Sequence, residues 1–443
     1  MNPILFAIPV FMATIVFEAW LAWRRGRVVY DVADAITSLH FGVLSQVSAA
    51  FTRLLSFGVY AWLYQSWHWL SLPTDRVWVW LAALLLYDFL YYWVHRFGHE
   101  VNVMWAAHQV HHSSEYFNLS TALRQSATTV FWSWPFYLPM ALLGVPPEVF
   151  VGVALIDLLY QYWVHTELVG KLGWFDRVFV SPSNHRVHHG QNDYCIDKNY
   201  GGILIVWDRL FGSFVEERDR EPVIYGIRKP LASFNPVWGN CNVYAEVLRC
   251  WRRATTWRAR LAALFGPPGA GAALTPLDPV QCRRFDPQPS VAVRVYALFN
   301  YALLVLYVSH FLLLVAQLSW PQQLLYGAFI VLATLTQGWL LERHRWAVRA
   351  EQLRWSVTLL LLWWQPVWFG TVLPLGVKLV LTVVALATIA MLVIHTGLMR
   401  PQQPRQLPAK PQTDATANPA NFESELRESE QREAKQREAE PRA

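Results

Sequence analysis

The chain has 443 residues, of which 54% are apolar and only 15% charged, with 24 Trp, 18 Tyr and 24 Phe. Soluble domains carry about a quarter of their residues as charge, and apolar runs of about 20 residues have the length to cross a bilayer. This composition excludes a soluble enzyme, a secreted disulfide scaffold and a disordered regulator, and describes a polytopic helical membrane protein. The net charge of +6, from 37 Lys+Arg against 31 Asp+Glu, reports topology rather than a nucleic-acid partner.

The first apolar run, Ile4 to Trp23, precedes Arg24, Arg25 and Arg27. It is too long for a cleaved leader and lacks a basic start, so it reads as a retained helix. A second run, Ile36 to Tyr64, holds Arg53; a third, Val77 to Val94, is the cleanest. Ala127–Leu143 and Val149–Val164, joined by Gly144-Val145-Pro146-Pro147, form a full or a shallow re-entrant hairpin. Val243–Phe265 places Val247, Leu248, Trp251, Ala254, Trp257, Leu261 and Leu264 at helical spacing among Arg249, Arg252, Arg253, Arg258 and Arg260. A basic amphipathic helix of this kind suits either the lipid headgroup region or the surface of a cytosolic cap. Gly266–Gly271 is a linker. Further runs follow at Ser290–Leu318, Leu324–Leu341, Trp355–Leu373 and Leu375–Ile394, and the Gln-, Glu- and Arg-rich tail from Pro401 is expected to be disordered.

Placing the basic loops in the cytoplasm, including Glu342–Arg354 with Arg343, Arg345, Arg349 and Arg354, alternates consistently along the chain. It puts residues 95–126 and 165–289 on that side, provided the 127–164 pair returns to the side it left. Cys195, Cys241, Cys250 and Cys282 all lie there, form no C-x-x-C pair and imply neither a disulfide framework nor a thiolate metal site. The resulting plan is all-α: N-terminal transmembrane helices (1–75), a catalytic domain (76–240), an amphipathic segment and linker (241–289), C-terminal transmembrane helices (290–398) and a charged tail (399–443).

Nine of the 14 His fall between residues 95 and 189, eight of them in three clusters: His95-x3-His99, His108-x2-His111-His112 and His185-x2-His188-His189. On a helix, residues i, i+3 and i+4 share a face, so each cluster aims its imidazoles at one point. His165 stands alone, but Tyr162-Trp163-Val164 precedes it as Tyr92-Trp93-Val94 precedes His95, with Asp157 and Asp88 earlier on the same helices. Two similar helices would thus deliver ligands to one cytosolic-face site. Eight or nine imidazoles exceed the needs of one ion and fit two ions with four or five ligands each. Imidazole suits iron, zinc, copper and nickel alike. Glu100, Glu115, Asp88 and Asp157 are candidates to steady the ligands. His40, His68, His310, His344 and His395 read as packing or surface residues.

The pattern H-x3-H, H-x2-HH, H-x2-HH resembles the fatty acid hydroxylase/sterol desaturase superfamily. Within it, residues 181–214, SPSNHRVHHGQNDYCIDKNYGGILIVWDRLFGSF, resemble the alkylglycerol monooxygenase branch, as do HRFGHE and HQVHHSSEYFNLSTALRQS. The resemblance implies an integral-membrane oxygenase in the bacterial inner membrane, with two iron ions that activate O2 to oxidise a C–H bond of a bilayer lipid. In the alkylglycerol branch that bond is on the ether-linked carbon. The motif implies His95, His99, His108, His111, His112, His185, His188 and His189 as ligands; His165 adds a ninth from the repeated tetrapeptide. Tyr194, Asn199 and Tyr200 resemble family positions, and Glu100 and Tyr200 are the expected catalytic residues beside the metals. The implied reductant is tetrahydrobiopterin or, as in sterol and fatty-acid members, a cytochrome b5- or ferredoxin-type electron donor.

Two other readings compete. One is a sterol, carotenoid or fatty-acyl hydroxylase or desaturase of the same superfamily, which the same metal site would serve. The other is a metal-ion transporter, but transporters set polar ligands near the bilayer midplane, whereas these clusters sit at span ends and beyond.

Overall fold

Apolar chain in a bilayer must satisfy its own backbone polar groups, which helices do. In the computed structural model, which describes residues 4–269, 276–279 and 282–395, the regular elements are helical and no β-strand is present among the described residues. Among the described residues, five helices are long and apolar enough to cross a membrane: Leu5–Arg24, Val77–Glu100, Val291–Leu314, Trp320–Leu341 and Leu375–Ile394. The chain is a multi-pass membrane protein. The charged tail and residues 270–271 of the linker lie outside the described residues.

The other expected runs depart from simple spans, each for a local reason. The second run is a helix, Val32–Arg53, continued by a π-helical turn at Leu54–Gly58 and a helix at Val59–Trp67. Its first half buries Asp34, Thr37, Ser38 and His40, so it faces protein rather than lipid. Ala127–Leu143 breaks into Val130–Ser133, a 3₁₀ turn and Leu138–Leu143, because Pro135 and Pro139 each lack an N–H. Its partner helix, Pro147–Trp163, has 17 residues, about 25 Å at 1.5 Å per residue and short of the ~30 Å hydrocarbon core. The expected Trp355–Leu373 span starts earlier, at Ala347, and stops at Trp364 before Pro366. That shift places Arg354 inside a helix, where it is buried against Glu351 and donates to Asn300 Oδ1 (2.9 Å). Arg354 is therefore no loop charge. The expected amphipathic helix is two helices, Pro236–Arg253 and Trp257–Phe265, because Thr256 turns extended and accepts from Ala259 N as an N-cap.

Two apolar cores support the site. Val43 and Val47 of Val32–Arg53 pack with Leu304, Phe311, Tyr326, Ile330 and Leu362 of the C-terminal helices. Ala83 and Tyr87 of Val77–Glu100 pack with Tyr60, Tyr137, Met140, Val149 and Val153. The hairpin is thereby fixed against the helix that carries the first histidines.

Candidate metal centre

Helix Val77–Glu100 runs past its apolar stretch and presents His95 and His99 one turn apart. Val101, extended, ends it and starts helix Asn102–His112, which carries the second cluster. The third cluster lies on Pro182–His188, with His189 closing its end. Pro182 near the start and reciprocal Ser181–Asn184 capping set where that short helix begins. His165 follows Pro147–Trp163, its backbone N–H bound to Tyr162 O. All nine are brought together in two groups: His95, His99, His108, His112 and His188, and His111, His165, His185 and His189. Within each group the ring nitrogens lie within 4.8 Å of one another. Eight of the nine are buried, and His108 is partly so. The groups adjoin, His112 stacking on His189 with ring centroids 4.3 Å apart.

The donor set fits metal ions on a simple test. The Nδ1 of His95, His111, His165 and His188 donates to the carbonyls of Tyr200 (2.7 Å), Arg124 (3.1 Å), Gln161 (2.7 Å) and Lys198 (2.9 Å). A carbonyl only accepts, so these four rings carry their proton on Nδ1 and a lone pair on Nε2. Yet His111 Nε2 and His165 Nε2 face each other at 3.2 Å. Two lone pairs cannot hydrogen-bond, and only a cation between them makes this contact favourable. His95–His108 and His108–His112 (both 3.0 Å), His99–His112 (3.2 Å), His165–His185 (3.0 Å) and His185–His189 (3.2 Å) repeat the spacing. Imidazoles bound at about 2.1 Å set neighbouring nitrogens about 3.0–3.4 Å apart in octahedral or tetrahedral arrangement. Burial pushes the His111 imidazole down to about 4 and drives His112, His185, His188 and His189 well below the ordinary range. These five rings are thus held neutral, the form that binds a metal ion.

None of the four carboxylates expected to steady the ligands hydrogen-bonds an imidazole directly among the described residues. Glu100 pairs with Arg96 at 2.9 Å and is 39% exposed, so it does not touch an imidazole. The acid near His99 Nδ1 is Asp197, at 3.5 Å. Glu115 accepts from Phe285 N (2.5 Å). Asp88 accepts from Ile203 N (2.6 Å), Leu204 N (3.1 Å) and Trp207 Nε1 (2.8 Å), and Asp157 from Gln161 Nε2 (2.5 Å). These two acids thus hold the loop after the third cluster and the approach to His165. Gly202 sits between them: an added Cβ would lie 2.7 Å from Asp157 Oδ1 and 2.9 Å from Asp88 Oδ1. Asp208 completes the loop, accepting from the backbone N–H of Tyr200 and Gly201 (both 2.7 Å).

Tyr200 is fully buried, its ring centroid 5.3 Å from that of His99, 6.0 Å from His95 and 6.1 Å from His188. Its hydroxyl has no hydrogen-bond partner among the described residues. Tyr194 reaches away, to Glu221 O (3.3 Å). Asn199, at φ 58°, ties the loop down through Asn184 O and Val215. Among the buried charges that the sequence analysis did not single out are Arg124, Asp34 and Glu18. Arg124, whose carbonyl serves His111, bonds Val110 O and Ser38 Oγ beside Asp34. Glu18 accepts from Leu119 N (2.8 Å), Tyr30 and Thr166, the neighbour of His165. A lone acid in the first apolar run was the available signal for Glu18.

Residues 80–213 match the fatty acid hydroxylase family. Alkylglycerol monooxygenase of Danio rerio is 40% identical over 369 residues, 80% of this chain and 81% of that protein. The Homo sapiens alkylglycerol monooxygenase is 37% identical over 364 residues, again 80% and 81%. The ornithine lipid hydroxylase OlsE of Rhizobium tropici is 30% identical over 135 residues, 30% of this chain and 41% of that protein. No solved structure matches the chain.

Proposed function

The chain belongs to the alkylglycerol monooxygenase family, and from that premise we propose how its metal centre serves the reaction. The protein is a membrane-bound lipid monooxygenase acting on ether lipids. One oxygen atom of O2 enters the C–H bond of the ether-linked carbon, and the other leaves as water with two electrons and two protons from a reductant. The hydroxylated carbon is a hemiacetal; it breaks its C–O bond to the glycerol oxygen, which takes the hydroxyl proton, leaving a fatty aldehyde and a glycerol derivative.

Two iron ions would be held here, one by His95, His99, His108, His112 and His188 and the other by His111, His165, His185 and His189. When bound, they supply the activation of O2. The chain's own groups fix ring orientation: the carbonyls of Tyr200, Arg124, Gln161 and Lys198 hold Nδ1–H and turn Nε2 inward. The buried Tyr200 hydroxyl, whose ring lies nearest that of His99, is free to donate a hydrogen bond beside the first group, the role we assign it; Glu100 acts through Arg96. We place the centre on the cytoplasmic side, with tetrahydrobiopterin as reductant and a cytochrome b5- or ferredoxin-type protein as its rival.

The observation that carries the reading is the opposed lone pairs of His111 and His165. The test is aldehyde release from a 1-O-alkylglycerol by anaerobically iron-loaded protein given 18O2 and reduced pterin. Label in the aldehyde supports it. A hydroxylated or desaturated lipid with the ether intact would move the protein to another branch, and turnover only with a protein donor would replace the pterin.

A further inference from the structure

The helix pair Pro236–Arg253 and Trp257–Phe265 supplies no imidazole; it packs on the helix of the second cluster, Gly239 O accepting from Gln109 Nε2 (2.7 Å), and is tied at three places to the ends of apolar helices. Ahead of it, Ser233 Oγ and Phe234 N donate to Glu342 (2.6 and 2.5 Å), the residue that closes span Trp320–Leu341. One turn in, Asn240 Oδ1 accepts from Ala127 N (2.9 Å), and Tyr244 Oη accepts from Trp132 Nε1 (2.9 Å), where the hairpin segment begins. At the far end, Asn102 donates to Gly266 O (2.9 Å) and Ala263 O (2.8 Å), just after span Val77–Glu100 has ended. Chain tied to three span ends lies at the membrane face from which those helices emerge.

The composition of the outward side fits that plane. Residues 236–265 contain five Arg and a single acid, Glu246. No carboxylate among the described residues lies within ion-pair distance of Arg252, Arg253, Arg258 or Arg260, and all four are exposed. Trp257 (67%), Phe265 (58%) and Leu261 (44%) are exposed beside them. Arginine among exposed Trp and Leu on a short helix is what a membrane surface of negative charge selects: rings enter the headgroup layer and guanidinium groups pair with phosphates. We infer that Arg252, Arg253, Arg258 and Arg260 form a binding surface for anionic phospholipid headgroups of the leaflet over which the metal centre sits. Trp257 and Leu261 seat the helix among the acyl chains. This is independent of what the metal centre oxidises.

The test uses the full chain with Cys241→Ser and Cys282→Ser, a polarity-sensitive probe on the exposed Cys250, and nanodiscs of phosphatidylcholine with or without about a third phosphatidylglycerol. Headgroup-labelled quenching lipid should quench the probe more strongly in the anionic discs. Replacing the four arginines by Gln should lower the seated fraction at least about tenfold, taking a few-fold from each arginine near an anionic surface, with metal content unchanged. If that variant fails to fold, high salt on the parent protein should release the probe in the same way. A probe reached by aqueous iodide equally in both discs would mean a face turned to water and would overturn the inference. Equal lipid quenching in neutral and anionic discs would reduce the contact to apolar seating and overturn it as well.

Discussion

His165 Nε2 lies 3.0 Å from His185 Nε2 and 3.2 Å from His111 Nε2, so the lone histidine is the meeting point of the second and third clusters. Its own Nδ1 is committed to Gln161 O one turn back, which leaves Nε2 nothing to do but bind a cation.

His165→Ala should therefore abolish turnover while the protein still inserts and folds, with about one metal equivalent lost. The measurement is activity and elemental analysis on protein that elutes as a single species. Full metal with near-normal turnover would show that the residue merely closes the helix.

Two groups of imidazoles predict two metals. Anaerobically purified protein should hold about two iron equivalents per chain, and His188→Ala and His185→Ala should each perturb a different one. Reproducible binding of one equivalent in the parent protein would sink the binuclear reading.

Gly202→Ala tests the acid pair. Its Cβ would press on Asp157, Asp88 and the Tyr91 ring, all within 2.9 Å, so stability should fall by about 1–3 kcal/mol. Because the same loop offers Tyr200 O to His95, iron content should fall with it. Thermal unfolding and metal analysis that match the parent protein would exclude this coupling.

Topology gives a fourth expectation. Cysteines engineered at Asp193 and Pro411 should resist an impermeant maleimide on intact cells and react after permeabilisation. Labelling from outside at either position would reverse the orientation.

The histidines were legible because helical spacing and repetition leave a mark in the sequence: one face per cluster, and Tyr-Trp-Val before both His95 and His165. The second layer was not. His95, His111, His165 and His188 are oriented by backbone carbonyls, which every residue has and none advertises. Asp88 and Asp157 were visible as acids in apolar runs, but their partners come from Ile203, Leu204, Trp207 and Gln161, and loop docking cannot be read from spacing. Glu100 could have been read better, since Arg96 stands four residues before it on one helix face. The span boundaries slipped where proline or a buried ion pair overrode hydropathy, as at Pro135 and at Glu351–Arg354.

The latch of Asp88 on Ile203, Leu204 and Trp207 has a consequence for biogenesis. His185, His188 and His189 belong to a segment translated about 90 residues after His95, and the loop that follows them is held down by Asp88 of helix Val77–Glu100. Both groups of imidazoles draw on the third cluster, so a ribosome-bound intermediate carrying the first two clusters alone would present neither group complete.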